Sequence, residues 1–120
     1  PEDVVSAWLP SLFSDGVADD VLEETAGIMA DFHPAGARVM LRAFAEADLR
    51  DALPGIDVPT LLLYGGADVR SPPSVAGAIH AAIPGAELVF LEGVGHVASA
   101  EAPARFNAEV RRFLEAVGSP

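Results

Sequence analysis

Apolar residues in the first fifty positions recur at helical spacing and predict three helices. Pro10 should kink or end the first helix. Asp19 or Asp20 is the predicted N-cap of the second helix, and Pro34 suits the first turn of the third. The three apolar stripes consist of Val5, Trp8, Leu9 and Leu12; of Val21, Thr25, Ile28, Met29 and Phe32; and of Ala37, Met40, Leu41 and Phe44.

The second half of the chain has a different pattern, in which short continuous apolar runs alternate with helical stripes. The runs Thr60–Tyr64 and Glu87–Leu91 predict two strands, the first of them buried on both faces, as in a parallel sheet. One helix is predicted over residues 71–83, and Pro103 is predicted to open the last helix. Because a helix joins the two strands, they should lie parallel with a right-handed crossover.

These elements place the chain in the α/β fold class and divide it into two parts. Residues 1–53 are predicted to be helical, and residues 54–120 are predicted to form a βαβα unit. The boundary is expected near Pro54-Gly55, where a proline and a glycine interrupt the helical pattern.

Composition narrows the class of protein further. With 51% apolar residues in a chain of 120, we expect a folded protein. A net charge of −11 makes nucleic acids and anionic membrane surfaces poor partners, because their phosphates are repelled. The absence of cysteine excludes disulfides, thiolate metal sites and cysteine nucleophiles. No apolar run approaches the ~20 residues that a bilayer-spanning helix needs, and we expect a cytoplasmic protein.

Two ionisable residues follow the predicted strands at the ends where sites form in open α/β sheets. Asp68 comes after the first strand, and His96 follows the second strand in a glycine-rich loop. Adjacent parallel strands lie about 4.8 Å apart, so the two side chains can meet, and the carboxylate can accept a hydrogen bond from the imidazole Nδ1–H. Spacing alone leaves another interpretation open. Asp68 could be a turn or N-cap residue, and His96 could be an ordinary loop residue.

The region Ile56–Leu114 resembles the C-terminal segment of the α/β-hydrolase superfamily. The matching residues, in order, are Val58-Pro59-Thr60-Leu61-Leu62-Leu63-Tyr64-Gly65, Asp68, Ser71-Pro72, Ile83-Pro84-Gly85-Ala86, Gly93-Val94-Gly95-His96, Glu101-Ala102-Pro103, Phe106-Asn107 and Phe113-Leu114. The resemblance implies that Asp68 is the acid and His96 the base of a catalytic triad, and that no cofactor is needed. Residues 1–53 resemble the variable cap of that superfamily and the helix that follows it.

The chain departs from the superfamily in lacking its nucleophile. None of its seven serines stands in a Gly-x-Ser-x-Gly motif. The start at Pro1-Glu2-Asp3 is neither a signal peptide nor an initiator methionine, and we expect the nucleophile upstream, in a longer parent or a separate fragment.

The expected activity of the parent is therefore hydrolysis of a carboxylic ester, a lactone or a similar small acyl substrate, and the chain by itself should be inactive. Two alternatives stay open. The parent could be an epoxide or haloalkane hydrolase with an Asp nucleophile upstream, or the chain could be a non-catalytic binding or assembly domain.

Other polar residues are interpreted as structural. His80 is expected to face solvent, and His33 lies at a helix boundary, where it could line a cap. Glu101 is expected to cap the last helix, and three histidines so far apart do not suggest a metal site. Several apolar residues could line an acyl pocket or could simply belong to the core. They are Trp8, Phe13, Met29, Phe32, Met40 and Phe44.

The strand Thr60–Tyr64 also bears on assembly. In a complete hydrolase this strand is internal, so here one edge would present unpaired backbone groups beside three leucines. We expect that edge to be covered, either in a homodimer or by pairing with the missing N-terminal half.

Overall fold

The computed structural model describes residues 2–118. Pro1, at the start of the predicted helical part, and Ser119 and Pro120, at the end of the βαβα part, lie outside the described residues. The elements in chain order are α1 (Glu2–Trp8), a 3-10 helix (Leu9–Ser11), α2 (Asp19–Ala30), α3 (Pro34–Glu46), a second 3-10 helix (Arg50–Gly55), β1 (Leu61–Gly65), α4 (Pro73–Ala82), β2 (Glu87–Leu91), α5 (Ala98–Glu101) and α6 (Pro103–Gly118).

The prolines set the helix boundaries as the sequence predicts. Helix α1 ends at Trp8, and Pro10 lies in the 3-10 turn that follows it. Pro34 occupies the first turn of α3, because a proline there removes no intrahelical hydrogen bond. The predicted N-cap of α2 is wrong: Ala18 holds that position without a side-chain bond. Asp19 and Asp20 lie in the first turn instead, where their charges favour the positive end of the helix dipole.

The two strands form a parallel two-stranded sheet, as predicted. Their register runs from Leu61 beside Glu87 to Gly65 beside Leu91. The expectation that β1 is buried on both faces is wrong, because its residues from Leu61 to Tyr64 are only half-buried. Within residues 2–118 each strand has one strand neighbour, and this leaves part of both strands open.

A cluster of buried apolar residues lies at the carboxyl end of β2. Leu91, Val94 and Ala98 are each no more than 5% exposed. Partly buried Leu63, Ala102 and Phe106 pack against them. This cluster connects the end of β2 to α5 and α6, so the loop that carries His96 starts and ends on packed residues.

The predicted apolar sides of α2 and α3 are only partly covered. Met29 is buried, but Ile28 is 57% exposed and Phe44 is 69% exposed. The accessible area of the chain is 8096 Å², whereas a compact 12.4-kDa protein has about 6,100 Å². Its radius of gyration is 16.2 Å, against about 13.6 Å for a compact chain of this length. The fold is therefore open, with apolar side chains exposed on its surface.

Candidate active site

The loops after the two strands are hydrogen-bonded to each other. The Gly66 N–H donates to the Leu91 carbonyl at 2.8 Å, and the Ala67 N–H donates to the Val94 carbonyl at 2.9 Å. The parallel pairing thus continues past the ends of β1 and β2. It brings the residues that follow, Asp68 and His96, to the same edge of the sheet.

Two glycines allow this close approach. Gly65, the last residue of β1, lies so near the carbonyl oxygens of Val94 and Gly95 that a Cβ atom would overlap both of them. Gly93 has a φ of 74°, in the left-handed region that glycine adopts without steric cost. The glycines that the sequence marks as turn residues therefore act in two ways, one by close backbone packing and one by backbone conformation.

Asp68 and His96 form a direct hydrogen bond. The distance from His96 Nδ1 to Asp68 Oδ2 is 2.8 Å, within the usual hydrogen-bond range of about 2.6–3.2 Å. The Asp68 side chain is 3% exposed, whereas the His96 side chain is 38% exposed. A buried carboxylate thus holds one nitrogen of an imidazole that solvent or substrate can reach.

The second oxygen of Asp68 is held by the backbone that follows it. Oδ1 accepts hydrogen bonds from the Arg70 N–H at 2.8 Å and from the Ser71 N–H at 2.9 Å. Burial acts to raise the pKa of Asp68, but the hydrogen bonds from Ser71, His96 and Arg70 outweigh it and lower that pKa. Asp68 is therefore ionised at neutral pH and can only accept, so the proton of this hydrogen bond belongs to His96 Nδ1.

The loop of His96 is bound on its other side by residues 12–14. The Val97 N–H donates to the Leu12 carbonyl at 3.0 Å. Gly95 packs so closely on this segment that a Cβ atom there would lie 2.6 Å from the Phe13 carbonyl carbon. His96 thus stands between two residues that are both fixed against the segment after α1.

Glu101 connects the same two segments, which corrects its predicted role as a cap of α6. Its carboxylate accepts from the Ser14 N–H at 3.1 Å, from the Ser14 hydroxyl, and from the Gly95 N–H at 2.9 Å. Sequence reasoning missed this contact because Ser14 and Glu101 are 87 positions apart. The only sequence signal is that Glu101 lies a few positions after His96.

The loop of Asp68 also contacts the helical part of the chain. The Arg70 guanidinium lies 4.7 Å from the centre of the Trp8 ring and donates to the Ser11 hydroxyl at 3.0 Å. A groove of ≈ 420 Å³ runs beside these contacts. Its lining is Pro10, Phe13, Ser14, Asp15, Gly16, Ala67, Val69 and Gly93. Residues from both parts of the chain therefore border the groove next to Asp68.

The residues that could line an acyl pocket differ in burial and are not gathered in one place. Phe13 borders that groove and Met29 is buried. Phe32, Met40 and Phe44 are between 42% and 69% exposed. The structure of residues 2–118 therefore gathers only part of this set near Asp68 and His96.

The other two histidines lie at structural positions. His80 is exposed and donates from Nε2 to the Ala86 carbonyl at 2.8 Å, and the His33 Nδ1 accepts from the Gly36 N–H at the start of α3.

Among residues 2–118 no group of three or more His, Asp or Glu side chains is placed to hold a metal ion. In the same part of the chain, no helix combines the length and the apolarity that crossing a bilayer requires.

Sequence comparison assigns the chain to a family. Residues 1–109 match the family model described as the alpha/beta hydrolase family. A pimeloyl-[acyl-carrier protein] methyl ester esterase of Neisseria meningitidis serogroup A is 33% identical over 104 residues, which are 87% of this chain and 32% of that protein. A counterpart from serogroup C is also 33% identical, and there the match covers 40% of the protein. The match thus covers less than half of each of these curated relatives.

Solved structures give the same picture. An esterase from Thermogutta terrifontis superimposes with a TM-score of 0.93 and 28% identity, over 99% of this chain and 45% of that one. The enol-lactonase from Burkholderia xenovorans superimposes with a TM-score of 0.86 and 28% identity, over 95% of this chain and 45% of that one. The fold of the described residues therefore corresponds to somewhat less than half of each of these enzymes.

Proposed function

Because this chain belongs to the alpha/beta hydrolase family, we propose that it is the C-terminal part of a hydrolase acting on a carboxylic ester, a lactone or a similar small acyl substrate. In this proposal it supplies the acid, Asp68, and the base, His96, of a Ser-His-Asp-type triad. The observation that carries the proposal is the 2.8 Å hydrogen bond between these residues at the carboxyl ends of two adjacent parallel strands.

The proposed mechanism assigns each nitrogen of His96 a separate task. Nδ1–H donates to Asp68, and this bond fixes the tautomer in which Nε2 is unprotonated. Nε2 takes the proton of a nucleophilic hydroxyl from the rest of the protein as that oxygen bonds to the acyl carbon. Nε2 then protonates the leaving alcohol when the acyl–oxygen bond breaks, and water releases the acyl group by the same steps. Asp68 stabilises the imidazolium formed on the way, and this chemistry requires no cofactor.

The choice of acyl substrates draws on the relatives. The Neisseria proteins are named as methyl ester esterases, and the Burkholderia structure is described as an enol-lactonase. Esters and lactones share the acyl–oxygen bond that a hydroxyl nucleophile with a histidine base cleaves. These names favour an ester or lactone over an epoxide or a haloalkane, for which the nucleophile would be an aspartate.

We also propose how the chain is divided in this enzyme. Residues 1–53 form a cap-like part, and residues 54–120 belong to the core. In support, residues 11–14 contact the loops of Asp68 and His96 from outside the sheet. A segment in that position borders the groove next to the acid, as a cap over an acyl site would.

The isolated chain of 120 residues is expected to hydrolyse an activated ester no faster than buffer, because it has neither the nucleophile nor its oxyanion donors. The full-length parent is expected to turn the ester over and to be labelled by a serine-directed phosphonate at a serine outside these residues. Mass spectrometry of the labelled peptide checks both points. An active parent that resists the phosphonate would indicate an Asp nucleophile, and turnover by the isolated chain would contradict the proposal.

The isolated chain is also expected to associate, either with a second copy or with the N-terminal part of its parent. Its open fold exposes Val39, Phe44 and other apolar side chains, and β1 has a strand neighbour on one side only among residues 2–118. Light scattering after size-exclusion chromatography is expected to give about twice the 12.4 kDa of one chain. A stable monomer at micromolar concentration would contradict the homodimer.

A further inference from the structure

The Glu101 side chain joins the loop before His96 to the segment after α1 through hydrogen bonds. Its oxygens accept from Ser14 and from Gly95 at the same time, across 87 positions of sequence. Three donors on one carboxylate are more than the capping of a helix requires. Such charge-assisted bonds are stronger than neutral ones, and they fix direction as well as distance.

The neighbouring contacts determine what this carboxylate controls. Gly95 precedes His96 directly, and its backbone lies against Phe13 and Ser14 with no room for a Cβ atom. Val97, on the other side of His96, donates to the Leu12 carbonyl at 3.0 Å. The backbone of His96 is thus fixed immediately before and immediately after the residue, and Glu101 provides the fixed point on the Gly95 side.

Asp68 fixes a different degree of freedom. Its bond to Nδ1 orients the imidazole ring, but it does not hold the backbone from which the ring extends. Since a displacement of about 1 Å at a reacting group can cost on the order of 100-fold in rate, both constraints matter. The cap-like part of the chain supplies the second constraint through Ser14.

We propose that Glu101 is a positioning residue for the base: it locks the backbone at Gly95 to Ser14, so that His96 Nε2 stays directed at the nucleophile. The inference rests on the proposed function. It adds that residues 12–14, of which Phe13 and Ser14 border the groove of ≈ 420 Å³, hold the loop of His96 in place.

The test uses the full-length parent with Glu101→Gln, in which a carboxamide replaces one acceptor oxygen by a donor. We expect kcat to fall by about 10- to 100-fold while KM stays within about twofold, because ring placement changes and substrate contacts do not. Rates are expressed per nucleophile titrated with the phosphonate, so that unfolded molecules do not count. The matched control is Glu109→Gln, which removes a surface carboxylate paired with Arg112 and is expected to leave kcat unchanged.

Glu101→Asp provides the second variant, because it keeps the charge but is too short to reach Ser14 and Gly95 together. A lowered kcat with unchanged KM in either folded variant supports the proposal. Wild-type kcat per titrated site in both variants would overturn it, as would the failure of both to fold, which would assign Glu101 to global stability. A parent that stays active with His96→Ala would instead refute the proposed function itself.

Discussion

His96→Ala in the full-length parent is expected to lower kcat by about 10⁴- to 10⁶-fold, the scale on which loss of a triad histidine acts. The variant removes the proposed base, while the buried cluster of Leu91, Val94 and Ala98 beneath the loop is untouched. The melting temperature should therefore change little, since the imidazole is 38% exposed. Steady-state kinetics and thermal unfolding on the same preparation check both statements.

The matched control is His80→Ala. His80 is also exposed and also makes one hydrogen bond, but that bond goes to the Ala86 carbonyl, away from the candidate site. We expect its kcat to stay within about twofold of wild type, in line with an ordinary surface substitution. A His96→Ala parent that keeps near-normal kcat would rule out His96 as the base.

Asp68→Asn tests the other member of the pair with almost no change of shape. The asparagine carbonyl can still accept from Arg70 and Ser71, so the turn should be retained. Its amide group would then donate to Nδ1 and stabilise the opposite tautomer, with the proton on Nε2. A loss of about 10⁴-fold in kcat is expected, as in triads where the acid is changed in this way.

Gly65→Ala is expected to lower the free energy of unfolding by about 1–3 kcal/mol or more, the range for overpacking. The new Cβ atom would overlap the backbone carbonyl oxygens of Val94 and Gly95, and backbone atoms cannot rotate away as a flexible side chain can. Any relaxation has to separate the loops that carry Asp68 and His96. We therefore expect the loss of stability to be accompanied by a loss of activity in the molecules that remain folded.

Gly77→Ala is the control for this substitution. Gly77 lies inside α4 with no atom within 4 Å of an added Cβ. Alanine is favoured over glycine in a helix interior by about 0.5–1 kcal/mol, so this variant should be more stable than wild type. Urea denaturation of both variants gives the comparison. A Gly65→Ala protein as stable as Gly77→Ala would show that the loops do not pack as described.

Local signals predict the long helices, the two strands and the positions of Asp68 and His96 after those strands, but not the short helix α5. Pro10 and Pro34 mark helix boundaries through the fixed geometry of proline, and the run Glu87–Leu91 gives β2 with its bounds as observed. Chain order puts both residues just past parallel strands, where neighbouring strand ends meet, and the resemblance to the superfamily implies that they act as a pair.

Properties that depend on distant parts of the chain could not be predicted in the same way. The run of three leucines indicates a strand but not how many neighbours cover it, and β1 is only half-buried. Glu101 has the local context of a helix cap, and its bond to Ser14 depends on how the first helices fold back on the sheet. The prediction of the N-cap of α2 failed for a more local reason, because both aspartates suit the first turn as well as the cap position.

The two halves of the candidate site differ in the loop-closure entropy that their formation requires. Asp68 is held by amides two and three positions away, so its turn closes a very short stretch of chain. The backbone of His96 is held by contacts such as that of Ser14 with Glu101, 87 positions apart. Closing a longer loop costs more conformational entropy, and non-local contacts form slowly for that reason. Asp68 is thus organised by local sequence, whereas His96 depends on the completed topology of the chain.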